Sequence, residues 1–99
     1  MIDIELGIMR HNPNNFQKSK ELIDWAMNHG VNHFESCWFY CNFKCEEFLY
    51  SLLKDYNRSD YYICGKMPIH GIVARENFKE VFSTQLERVP GNYFDTYLL

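Results

Sequence analysis

The sequence predicts an α/β fold built on a parallel sheet, and three observations carry that prediction. Short apolar, β-rich stretches begin near residues 5, 31, 61 and 93. Segments with helical periodicity lie between them. The repeat of roughly 30 residues is the length of one strand–helix unit, whose crossover returns the chain to start a parallel neighbour. Of the 99 residues, 46% are hydrophobic and 17% aromatic, enough apolar surface to build a core, which sets the chain apart from disordered sequences.

The first strand is read in ELGIM (5–9). A helix follows over about 15–29, with Phe16, Leu22, Ile23, Ala26 and Met27 near one stripe and Gly30 as its stop. VNHFESC (31–37) is the second strand, and the helix over about 44–55 carries Phe48, Leu49, Leu52 and Leu53 on one face. YYICGKM (61–67) is the third strand. The third helix, about 75–89, places Phe78, Val81, Phe82, Leu86 and Val89 together, and Pro90-Gly91 ends it. YFDTYLL (93–99) is the fourth strand. The order β-α-β-α-β-α-β belongs to two architectures: an open doubly wound sheet, or the first half of a (β/α)₈ barrel of about 250 residues. Spacing leaves both open, and length favours the open sheet.

Composition excludes several functions. Ten Lys and Arg against thirteen Asp and Glu give a net charge of −3, without the basic footprint that nucleic acid requires. No apolar run reaches the roughly 20 residues of a membrane span. The opening MIDIELGIMR has acids where a signal peptide has Lys or Arg, so a cytoplasmic protein with reduced cysteines is expected. Asn57-Arg58-Ser59 matches a glycosylation acceptor, idle in that compartment. After the first strand comes Met9-Arg10-His11-Asn12-Pro13, not a glycine-rich phosphate loop.

The second and third strands end in reactive residue types. Glu35 and Tyr40 follow Phe34, and Lys66 follows Gly65, at the strand ends where α/β active sites form. An ammonium near a phenol favours the phenolate, and a carboxylate can hold that ammonium charged and oriented. Such a phenol can protonate a carbonyl oxygen undergoing reduction. Taken alone, these residues fit a structural cross-strand pair of Glu35 with Lys66 better, with Tyr40 an ordinary rim aromatic.

Four stretches together resemble one family. VNHFESCWFYCNFKCEEFLYSLLK (31–54) is similar to the aldo/keto reductase pattern G-[VI]-N-x-[FI]-D-T-A-x-x-Y-x-x-x-x-S-E-x-x-[LI]-G-x-[AL]-L. LGIMR (6–10) resembles a shortened L-G-x-G-x-M-R opening, and YYICGKMP (61–68) resembles the strand ending in T-K. QLERVPGNYFDTYLL (85–99) resembles Q-L-x-R-L-x-x-D-Y-I-D-L-Y-L-L. The opening and the ending look most like the branch whose longer members carry a C-terminal iron–sulfur domain.

The resemblance implies that residues 1–99 are the N-terminal part of a single barrel domain, and that the parent reduces aldehydes and ketones with NADPH or NADH and no metal. It implies Tyr40 as general acid, Lys66 as the group that lowers the tyrosine pKa, and Glu35 in the place of the family aspartate. The extra methylene of Glu35 displaces the carboxylate by about 1 Å, a shift that can cost about a hundredfold in rate. Gly7, Met9 and Arg10 are the candidates for the cofactor, Arg10 pairing with an acid on the plainer reading; by their place on the same face, Trp38 and His70 are candidate walls for a small carbonyl substrate, with ordinary packing the alternative for Trp38. The family histidine would follow Leu99, and most nucleotide contacts would come from later strands. Residues 1–99 alone are therefore expected to be inactive. Tyr50 stands where the family has a helix glycine, so little room is expected there.

Two alternatives are carried. One is a non-catalytic remnant that associates with itself or a partner, with a homodimer through exposed edges at the first and fourth strands. The other is an iron–sulfur binder through Cys37, Cys41 and Cys45, or a zinc binder through Cys41 and Cys45 with His33 or His70. Buried or loop thiols without metal are the plainer reading of those cysteines.

Overall fold

The computed structural model describes residues 4–7, 15–35, 45–69 and 75–98. In chain order they form β1 (Glu5–Gly7), α1 (Phe16–Asn28), β2 (His33–Glu35), α2 (Cys45–Leu53), β3 (Tyr62–Lys66), α3 (Phe78–Arg88) and β4 (Thr96–Leu98). Short 3₁₀ turns lie at Arg58–Asp60, Arg75–Asn77 and Pro90–Asn92.

The helix boundaries follow from local chemistry. Asn15 caps α1, its side chain accepting from the Lys18 amide at 3.3 Å. Gly30 lies just past the end with φ +81, the left-handed conformation that glycine adopts without a Cβ clash. α3 stops at Val89, extended at φ −66 and ψ 137, because the ring of Pro90 disfavours helical backbone in the residue before it.

All three strand pairings are parallel and the spatial order is β1-β2-β3-β4. Spatial order thus equals chain order, and each crossover advances the sheet in one direction. A doubly wound sheet reverses direction at a switch point. The arrangement therefore matches the first half of a (β/α)₈ barrel, and the open sheet favoured by length is set aside.

Crossovers of one hand advancing one way leave the described helices on one face of the sheet. Leu6, Phe34 and Ile63, aligned by register, point into that layer. There they meet Ile23 of α1 and Leu49, Leu52 and Leu53 of α2, all fully buried. Alternation along the strands puts Glu5, Gly7, His33, Glu35, Tyr62, Cys64 and Lys66 on the opposite face, away from the described helices. No helix among the described residues is long and apolar enough to cross a membrane.

Several details depart from the sequence reading. Leu22 and Phe16 are 42% exposed, because Ile23 and Ala26 occupy the contact line of α1. Residues 75–77 are 3₁₀ and not yet α-helical. β4 starts at Thr96, not Tyr93. Before it, the Arg58 guanidinium donates to the carbonyls of Pro90 (2.7 Å), Tyr61 (2.8 Å) and Tyr93 (2.9 Å) and to Asp95 Oδ2 (2.8 Å). Asp95 Oδ2 also accepts from the Ile63 amide at 2.9 Å, a side chain taking the place of a ladder bond. Tyr50 is accommodated in the core, 9% exposed, with burial pushing its phenol strongly up.

Candidate active site

Glu35 is the last residue of β2 and Lys66 the last of β3. Glu35 registers with Cys64, so Lys66 stands two residues further along β3 on the same face. Its long stem spans that offset, and Nζ lies 2.5 Å from Glu35 Oε1. About a quarter of each side chain is exposed. The longer Glu in place of Asp therefore still completes the carboxylate–ammonium contact.

Cys64 sits beneath this pair, 4% exposed. Burial pushes its thiol up; Glu5 and Glu35 add to the effect and Lys66 opposes it. It is thus a protonated filler and not a nucleophile. Gly7 registers with Glu35 from the other side, and among the described residues no atom lies within 4 Å of where its Cβ would stand.

The structure brings together Gly7, Glu35 and Lys66 from the residues singled out in the sequence. Met9, Arg10, His11, Trp38, Tyr40 and His70 lie outside the described residues. So do Cys37 and Cys41, while Cys45 is the first residue of α2. Among the described residues no three His, Cys, Asp or Glu side chains gather to hold a metal ion. His33 stacks on Tyr62 with ring centroids 4.4 Å apart. His29 terminates α1, its Nδ1 2.7 Å from the Trp25 carbonyl.

Behind Lys66, on the helix side, lies a polar cluster that the sequence reading missed. Gln85 of α3 is fully buried, and Glu46 of α2 is 2% exposed. Gln85 Nε2 donates to Glu46 Oε2 at 2.8 Å and to the Lys66 carbonyl at 3.0 Å. The Tyr97 hydroxyl donates to Gln85 Oε1. Desolvation raises the Glu46 carboxyl, while the Gln85 hydrogen bond and Arg88 work against the rise. The available signal was positional: Gln85 falls on the stripe of Phe78, Phe82 and Val89, and Glu46 on that of Leu49 and Leu53. A polar residue on an apolar stripe needs a buried partner.

A family model described as the aldo/keto reductase family matches residues 3–99. No curated protein matches the chain.

Proposed function

The chain belongs to the aldo/keto reductase family, an oxidoreductase kind whose members generally use NAD(P)H, and on that premise we propose that residues 1–99 carry the proton-donating side of a carbonyl reduction. The observation that supports this reading is the 2.5 Å contact of Lys66 with Glu35 at the carboxyl ends of β3 and β2.

Glu35 holds the Lys66 ammonium charged and oriented. Lys66 in turn stabilises the phenolate that Tyr40 becomes after giving up its proton. Tyr40 transfers its hydroxyl proton to the carbonyl oxygen as the carbonyl carbon gains a hydride, so the carbonyl is reduced to an alcohol. When bound, NADPH or NADH supplies that hydride. Gly7, in register with Glu35, brings the opening motif beside that carboxylate without a side chain of its own; Met9 and Arg10 continue the same motif and would help hold the cofactor. Trp38 and His70 would wall a pocket for a small carbonyl substrate.

The test is aldehyde-dependent oxidation of NADPH by the full-length protein, followed by its near-ultraviolet absorbance. Tyr40→Phe removes the transferred proton, and Lys66→Met removes the charge that stabilises the phenolate. Each is expected to lower turnover by about 10²–10⁴-fold, the range of general acid catalysis. Equal rates in wild type and Tyr40→Phe would overturn the assignment.

A further inference from the structure

We propose that Gln85, fixed between Glu46 and Tyr97, is a positioning residue for Lys66, so that the ion pair at the strand ends is aligned from the helix side of the sheet. Its consequence for turnover rests on the role given to Lys66 above, whereas the positioning itself does not.

The argument begins with the backbone at the end of β3. The Met67 amide donates to the Leu98 carbonyl at 2.9 Å, toward β4. Across a trans peptide the carbonyl of the preceding residue points the other way, so the Lys66 carbonyl points toward β2. Among the described residues the β2–β3 register runs as far as Glu35 opposite Cys64, two residues before Lys66. Gln85 Nε2 supplies the donor at 3.0 Å and so fixes the peptide plane from which the Lys66 side chain departs.

The amide of Gln85 has one workable orientation. Its NH₂ faces two acceptors, Glu46 Oε2 and the Lys66 carbonyl, and its oxygen faces the Tyr97 hydroxyl. Turning the amide over would set its oxygen against both acceptors. The residue is fully buried, so water does not substitute for a lost bond. Gln85 thereby connects α2, α3, β3 and β4 at one point, directly behind the ion pair.

A network that only stabilises the core would weaken every part of the fold together. Chemical acetylation of lysines, quantified residue by residue with mass spectrometry on the full-length protein, separates the two roles. Lys20 is the internal control, since its Nζ is also ion-paired, 2.6 Å from Asp24, and its side chain is 18% exposed. In Gln85→Met, which keeps length and loses both donors, Lys66 is expected to react about fivefold faster with Lys20 unchanged, the loss of one hydrogen bond of ~1 kcal/mol. Glu46→Gln retains an acceptor oxygen and is expected to leave Lys66 at the wild-type rate. Unchanged labelling of Lys66, or an equal rise at both lysines, would overturn the proposal. Should Gln85→Met fail to fold, Tyr97→Phe removes the donor that orients the amide and is read in the same way. Because labelling needs no turnover, its failure and that of the reductase reading are separate results.

Discussion

Glu46→Gln is expected to stabilise the chain at neutral pH and to remove part of its pH dependence. The Glu46 side chain is almost wholly buried. One oxygen accepts from Gln85, while Oε1 has no hydrogen-bond partner among the described residues. The neighbouring Arg88 nitrogen is 3.9 Å away on a side chain 35% exposed. Desolvation is the largest influence and lifts the carboxyl above its ordinary 4.5.

A raised folded-state pKa means that the group contributes fully below pH 4.5, where folded and unfolded chains are both protonated. As pH rises through the folded value, the unfolded chain releases its proton first and stability is lost. Each unit of elevation is worth about 1.4 kcal/mol. An unsatisfied buried polar atom costs about 1–3 kcal/mol, and the partly exposed Arg88 pair returns about 0–1 kcal/mol. Glutamine keeps an acceptor for Gln85 without the charge, so the net gain near pH 7 is about 1 kcal/mol, or a Tm about 4–8 °C higher.

Urea unfolding at about pH 5 and pH 8 reads both effects. The wild type is expected to lose more stability over that interval than Glu46→Gln. Asp24 does not interfere: its carboxyl is lowered by the hydrogen bonds from Lys20 and Tyr56, so its contribution is lost only as pH falls below the ordinary 3.8. A variant about 1 kcal/mol less stable than wild type at neutral pH, with the same pH slope, would refute the reasoning and show that the Arg88 attraction outweighs desolvation.

Two further predictions concern stability. A Cβ on Gly65 would lie 2.6 Å from the Phe94 ring, which is packed against Phe82 and Tyr97; Gly65→Ala is expected to cost about 1–3 kcal/mol in urea unfolding, and a neutral result would mean the ring moves freely. Asp95→Ala leaves Arg58 without its carboxylate and the Ile63 amide without its acceptor, so a loss of about 2 kcal/mol is expected in the same assay, and a loss below ~0.5 kcal/mol would show the contacts to be solvent-compensated.

Much of the fold was legible because its signals are local. The stripe of Phe48, Leu49, Leu52 and Leu53 marks α2, and Pro90-Gly91 marks the end of α3. Other features were illegible for non-local reasons. The late start of β4 depends on Arg58, 37 positions before Asp95, reaching its carboxylate. Leu22 reads as a core residue in any helical projection, yet the line along which α1 meets the sheet runs through Ile23 and Ala26.

The candidate site divides in the same way. The family motifs placed Glu35 and Lys66 at neighbouring strand ends, since residue type and position along a strand are written in the chain itself. Period and spacing alone left strand order open, because they tell a segment that it has a buried face and not which segment will cover it; the family resemblance implied the barrel order that the sheet has. Only the tertiary structure decided that the longer Glu35 still reaches Lys66, and that Gln85 and Glu46 pair behind it. Each depends on distances between residues far apart in sequence, which are settled when the helices pack on the sheet.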